Sequence, residues 1–135
     1  MYHFVFVAKY RRLVITEEVD EVLQQVCIDI SKRHEVRFLE IGAESDHVHF
    51  LIQSVPSFSP TKIVTVVKSI TAREIFSRVP TVKEQLWGGE FWTDGYFVST
   101  VGAHANEDVF RHYIRIREST DHTSNFISKR RLINN

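Results

Sequence analysis

Residues 36–53 read VRFLEIGAESDHVHFLIQ, two runs rich in Val, Ile, Leu and Phe separated by a small, acidic break. Val36 to Ile41 predicts one strand, Gly42 to Asp46 a turn, and His47 to Gln53 a second strand, together an antiparallel hairpin. In the second strand the side-chain period of two sends Val48 and Phe50 to one face and His47 and His49 to the other. Two imidazoles at neighbouring same-face positions can share a divalent cation, because a neutral ring nitrogen is a good ligand for such ions. The same spacing is met among ordinary surface histidines, so the rest of the chain has to decide between the two readings.

Working outward from the hairpin, the chain alternates strands and helices. Tyr2 to Ala8 is aromatic and β-branched and predicts a first strand, ending in the basic turn Lys9-Tyr10-Arg11-Arg12. Thr16 can cap a helix whose first turn holds Glu17 and Glu18, and Val19, Val22, Leu23, Val26 and Ile30 follow the helical period. Ser59 and Pro60 announce a second helix with a stripe of Ile63, Val66, Val67 and Ile70, which should stop before Pro80. A loop from Leu86 to Gly95 leads to a fourth strand, Tyr96 to Val101, and Asn106 caps a last helix.

The order is β-α-β-β-α-β plus a carboxy-terminal helix, an α+β, ferredoxin-like (RRM-like) arrangement with an antiparallel sheet. Its helices cover one face of the sheet and leave the other free, where such folds often meet nucleic acid. With Val48 and Phe50 beneath the helices, His47 and His49 are expected on the open face.

Composition narrows the rest. A chain of 135 residues is most simply one domain, and with 17 Lys+Arg against 17 Asp+Glu net charge gives no pull towards nucleic acid. The single cysteine, Cys27, sits among apolar residues and cannot form an internal disulfide, which fits a reduced, cytoplasmic protein with an inert thiol. No apolar run approaches a membrane span, the amino terminus lacks a signal-peptide core, and no nucleotide-binding loop is found.

On the last helix Val109, Phe110 and Ile114 make an apolar edge with Tyr113 beside it. Tyr113 reads either as a packing residue with its hydroxyl at the rim or as a nucleophile. A phenol, with a pKa near ~10, attacks poorly unless it meets an electrophile polarised by a metal. A His-x-His metal and a helix-borne tyrosine would together suit attack on a phosphodiester.

The opening Tyr2-His3-Phe4-Val5-Phe6-Val7-Ala8-Lys9-Tyr10-Arg11-Arg12 resembles that of the HUH single-tyrosine transposases of the insertion sequence 200/605 type. So do Asp46-His47-Val48-His49, the segment Gly95-Tyr96-Phe97-Val98-Ser99-Thr100-Val101-Gly102, and the helix carrying Tyr113-Ile114. The resemblance runs in order through residues 2 to 118. It implies a catalytic domain over residues 1–118 and a polar tail over 119–135, with the basic cluster Lys129-Arg130-Arg131. It implies an enzyme that cuts and rejoins single-stranded DNA without an external energy source. On that model Tyr113 becomes linked to the 5′ phosphate, and His47 and His49 hold Mg²⁺ or Mn²⁺ against the scissile phosphate. The family acts as a homodimer on DNA with subterminal hairpins, and the apolar first strand is expected to pair or pack across the two-fold axis.

The basic residues fit that role. Lys9, Arg11 and Arg12 follow the first strand and Lys62, Lys68 and Arg73 lie along the second helix; all are expected to contact DNA. Trp87, Trp92 and Tyr96 could stack unpaired bases, although at least one Trp should be a buried anchor. One position departs from the family. Where relatives carry a glutamine one turn after the tyrosine, completing the metal shell, this chain has Arg117, a cation that cannot ligate a metal. Arg117 is expected to contact the phosphate or pair with Glu44 or Asp46, with water or a carboxylate in the third metal position. The same departure keeps open an alternative, a non-catalytic single-strand-binding descendant of the family.

Overall fold

The computed structural model describes residues 1–101 in full and the backbone of 127–131. The expected last helix, with Tyr113 and Arg117, lies outside the described residues. In chain order the elements are β1 (Tyr2–Val7), α1 (Glu17–Arg33), β2 (Val36–Glu44), β3 (His47–Ser54), α2 (Pro60–Arg78), α3 (Pro80–Gln85), β4 (Phe97–Thr100) and β5 (Ile127–Arg131), with a short 3-10 turn over Lys9–Arg11. The strands form one antiparallel sheet in the order β4-β1-β3-β2-β5. Its first four strands have the ferredoxin-like order that the element sequence implies.

Local chemistry sets the helix starts. The Thr16 hydroxyl accepts from the Val19 backbone N–H at 3.3 Å and the Ser59 hydroxyl from that of Lys62 at 3.2 Å. Helix α2 ends at Arg78, ahead of Pro80. Pro80 then opens α3, because proline is welcome in a first turn, where its missing N–H costs nothing. The buried side of α2 is Ile63, Val64, Val67, Thr71 and Ile75, a stripe rotated from the one expected, with Val66 and Ile70 half-buried at its edge.

The core lies between the helices and one face of the sheet. Phe4 and Phe6 from β1, Phe38 and Ile41 from β2, and Val48, Phe50 and Ile52 from β3 meet Leu23, Ile30, Ile63 and Val67 from the helices, all fully buried or nearly so. The Phe50 ring sits 5.0 Å from Phe6 and 5.8 Å from Phe38, centroid to centroid. Cys27 is part of this core; burial pushes its thiol well up, with Asp20 adding to the effect, so the inert protonated form is favoured.

Three expectations are revised, and the tail contributes a strand that the sequence reading did not include. The acidic break is shorter than a Gly42–Asp46 turn: β2 continues to Glu44, leaving Ser45 and Asp46 to join the strands. Part of the polar tail is ordered as β5, pairing Ile127 with Glu44 and Arg131 with Glu40, because β2 would otherwise end the sheet with unsatisfied backbone groups. The face away from the helices is not open around the histidines: His3, Val5, His47, His49 and Leu51 are each less than a tenth exposed. Near-continuous apolar runs in β1 and β3 already carry that signal, since a strand wetted on one side alternates more cleanly. Finally, β1 is central, hydrogen-bonded to both β3 and β4, and has no edge to offer a second subunit. Among the described residues strand β4 ends the sheet instead, with Phe97 and Val98 exposed.

Phe50 fills the middle of this core from the strand that carries both histidines. Phe50→Ala should destabilise the protein by about 3–5 kcal/mol, read as a lowered midpoint in urea unfolding. A loss below about 1 kcal/mol would mean that the core closes around the gap.

Candidate metal centre

The β2–β3 connection gathers three ligand-bearing side chains. Glu44 closes β2, and His47 and His49 lie at the first and third positions of β3. One potential ligand atom from each lies within 4.8 Å of the others, and all three residues are buried. The placement of Glu44 depends on an irregularity. The pairing of β2 with β3 slips by one residue between Phe38 and Glu40, so the core-facing positions run Val36, Phe38, then Ile41 and Ala43. Without that bulge the alternation begun at Val36 and Phe38 would carry Glu44 into the apolar core.

Close contacts within and around the trio fix the rings. Asp46 Oδ1 lies 2.7 Å from His47 Nδ1, and Glu44 Oε2 lies 2.5 Å from His47 Nε2. His49 Nδ1 lies 3.0 Å from His3 Nε2, the two rings being parallel within 2°. Asp46 is held in turn by Arg11, whose Nη2 and Nε donate to Oδ2 at 3.1 and 3.2 Å. Backbone bonds seat the connection beneath the segment that follows β1: Ala8 N–H donates to the Asp46 carbonyl at 2.8 Å and Ile15 N–H to that of Ser45 at 3.0 Å. A carboxylate on the outer nitrogen of a ligating histidine, as Asp46 is on His47, is the usual means of orienting such a ring.

The donor chemistry fits a divalent cation. A neutral imidazole carries one N–H, yet both nitrogens of His47 face carboxylate oxygens, so one of the two contacts brings lone pairs together. Only a second proton or a cation relieves that arrangement. Two imidazole nitrogens and one carboxylate oxygen form a set suited to first-row divalent ions; carboxylate oxygen also suits Mg²⁺ and Mn²⁺. Of these ligands the sequence pattern picks out His47 and His49. Glu44 it names only as an acidic neighbour, since Glu44 falls inside the expected Gly42–Asp46 turn.

The expected DNA contacts fall into two groups. Lys9, Arg11 and Arg12 belong to the turn beside the centre: Arg11 on Asp46, Lys9 3.8 Å from Glu90, and Arg12 stacked 4.8 Å from the Trp87 ring. Lys62, Lys68 and Arg73 lie on α2, which packs against the opposite face of the sheet. Lys62 sits over the Phe58 ring at 5.3 Å and Arg73 is exposed. Lys68 acts as a clamp, its ammonium donating to the carbonyls of Thr93, Gly95 and Asp94 at 2.6, 2.9 and 3.2 Å. Burial lowers its pKa, with Lys9 adding to that, against the opposing pull of Asp94 and Glu90. Of the aromatic residues, Trp92 is the buried anchor, its Nε1 donating to Thr71 Oγ1 at 3.0 Å, and Trp87 is 70% exposed.

Comparison with known proteins agrees with this architecture. The family model described as "Transposase IS200 like" matches residues 1–117. The chain is 31% identical to the ISDra2 transposase TnpA of Deinococcus radiodurans over 108 residues, 80% of this chain and 77% of that protein. It is 28% identical to the transposase for insertion sequence element IS200 of Salmonella typhimurium over 115 residues, 84% of this chain and 76% of the relative. Among solved structures, a transposase from Deinococcus radiodurans superposes with a TM-score of 0.69 at 30% identity, covering 86% of this chain and 88% of that one. A REP-associated tyrosine transposase bound to a REP hairpin superposes with a TM-score of 0.57 at 11% identity, covering 88% of this chain and 67% of the other, and so shares the fold. With a family match that spans the strands bearing Glu44, His47 and His49, the chain belongs to the IS200-like transposases.

Proposed function

We propose that this transposase cuts and rejoins single-stranded DNA through a phosphotyrosine, with Glu44, His47 and His49 holding the divalent ion the reaction needs. The observation that carries the reading is the buried convergence of those three side chains, in a chain of this family, on one hairpin. When bound there, Mg²⁺ or Mn²⁺ would polarise the scissile phosphate and offset its developing charge. Tyr113 is the nucleophile: its phenolic oxygen attacks phosphorus, a bond to the 5′ phosphate forms, and the 3′ oxygen departs and takes up a proton. The reverse attack by a 3′ hydroxyl rejoins the strand and releases the tyrosine. Because the phosphotyrosine keeps the energy of the broken linkage, no nucleotide cofactor is required.

Glu44 supplies the carboxylate that stands in for the glutamine replaced by Arg117, which leaves Arg117 free to contact the DNA phosphate. A nitrogen-containing donor set also favours Mn²⁺ over Mg²⁺, which prefers an all-oxygen shell. Lys9, Arg11 and Arg12 line the approach to the centre, whereas Lys62, Lys68 and Arg73 would serve DNA reaching the helical side. The substrate class is hairpin-bearing single-stranded DNA, in keeping with the fold relative bound to a REP hairpin. Assembly as a homodimer would use the edge of β4 that the described residues leave unpaired, where Phe97 and Val98 are exposed.

Three outcomes follow. With Mn²⁺ and a single-stranded oligonucleotide from its element end, the protein should form a covalent 5′ adduct visible by denaturing electrophoresis. Tyr113→Phe should abolish that adduct while oligonucleotide affinity stays near wild type; a Phe variant that still forms it excludes Tyr113. In calorimetric Mn²⁺ titrations, Glu44→Gln should weaken binding, and Asp46→Asn should do so by roughly ten- to a hundredfold through loss of ring orientation. Unchanged affinity in the Glu44 variant would remove it from the shell. Arg117→Gln should leave Mn²⁺ affinity as it is but weaken oligonucleotide binding and reduce its salt slope by about one. Tighter metal binding in that variant would show that the shell lacks a third protein ligand.

A further inference from the structure

Among the described residues, three non-glycine positions lie in the left-handed backbone region: Tyr10 at φ 59°, Arg11 at φ 51° and Trp87 at φ 54°. Side chains other than Asn, Asp and His seldom adopt that region, and such residues persist where the surroundings over-determine them. Here the surroundings are backbone bonds within the turn and between it and the 91–92 segment. Lys9 N–H donates to the Phe91 carbonyl at 2.8 Å, Ala8 bridges Trp92, and Arg11 N–H closes the turn on the Ala8 carbonyl at 2.8 Å.

The effect is to hold aromatic surface out in water. Tyr10 is 61% exposed and Trp87 70% exposed, although such rings usually seek cover. They meet edge to face at 5.3 Å, and the Arg12 guanidinium lies 4.8 Å from the Trp87 ring centre. Aromatic faces beside cations are the surface that single-stranded nucleic acids use: a base stacks on the ring and its phosphate meets the charge. A route of two side-chain contacts joins this surface to the centre. Arg11, between Tyr10 and Arg12, grips Asp46, and Asp46 holds His47.

We infer that Tyr10, Trp87 and Arg12 form a stacking platform for one unpaired base of the strand whose phosphate lies at the metal centre. The inference rests on the single-strand reading above and adds a specific site to it. Leu13 beside them is 63% exposed as well, and a protein partner would also use aromatic and Arg side chains; the single strand is favoured because the Arg12 cation lies against the Trp87 ring in a chain of this transposase family. The platform is sequence-tolerant, since every base has a stacking face. It also gives the strained turn a purpose: the left-handed residues carry the two exposed side chains while the neighbouring Ala8 and Lys9 keep the turn bonded to the loop.

The chain has two tryptophans, which makes the site directly observable. Trp92 is 3% exposed and hydrogen-bonded, so solvent-like emission and its quenching report Trp87. The full-length protein is titrated in EDTA with a short fluorescein-labelled oligothymidylate for anisotropy and with the unlabelled strand for tryptophan emission. Binding should quench the solvent-exposed emission and shield it from acrylamide. Trp87→Ala should weaken anisotropy binding about 5- to 100-fold, the loss of one stacked base, and Trp87→Phe should retain most of the affinity. Circular dichroism of the Ala variant, with wild-type signal expected, separates loss of stacking from loss of fold.

Binding by anisotropy with unchanged Trp87 emission and an unchanged Ala variant overturns the platform while the single-strand reading stands. Absence of any binding to single strands overturns both. Equal quenching by a perfect duplex overturns the assignment of an unpaired base. Concentration-dependent shielding of Trp87 without DNA reassigns the surface to a protein contact and also overturns it.

Discussion

A β-strand presents its side chains to two faces in strict alternation, and one slipped residue in β2 decides which chemistry this sheet can perform. The slip between Phe38 and Glu40 lets Val36 and Phe38, then Ile41 and Ala43, all enter the core while Glu44 emerges beside His47 and His49. Everything at the centre follows from that change of phase. Both histidines come from a single regular strand, whose opposite positions, Val48 and Phe50, pack in the core. The rings are therefore set by a rigid element, and the carboxylate reaches them from across a two-residue connection.

Such a cluster is costly to build. A carboxylate and two imidazoles buried together lose hydration that apolar neighbours cannot replace, and the loss is offset only by close partners. The protein supplies them in layers: Asp46 and Glu44 on His47, His3 on His49, and Arg11 on Asp46. The outermost member, Arg11, is two-thirds exposed along its side chain, so the chain of contacts ends in solvent on the side where the basic turn stands. Buried ligands and an exposed cationic rim are what a site needs if its substrate is a polyanion that arrives from water.

How much of this was legible beforehand depended on whether a signal was local. Thr16 and Ser59 act within their own first helical turns, and the elements they open were readable from those residues. His47 and His49 were readable because a period of two needs only a few residues. Glu44 was not, because a bulge is settled by how two strands pack, and nothing near Phe38 or Glu40 announces one. The fifth strand was missed for a similar reason: Ile127 to Arg131 is polar and gains order by pairing with a strand more than eighty residues away. The covered face of the sheet was legible and misread, since Val5 and Leu51 share it with the histidines. The roles of Tyr113 and Arg117 rest on resemblance to the family and on the proposal built from it.

The central claim is that two imidazole nitrogens and the Glu44 carboxylate hold one divalent ion in the protein without help from DNA. Pulsed electron paramagnetic resonance of the protein loaded with one equivalent of Mn²⁺ tests it most directly. The account predicts nitrogen couplings from two histidines, with loss of one set in each of His47→Ala and His49→Ala. A spectrum with no nitrogen coupling, matching fully hydrated Mn²⁺, would contradict it.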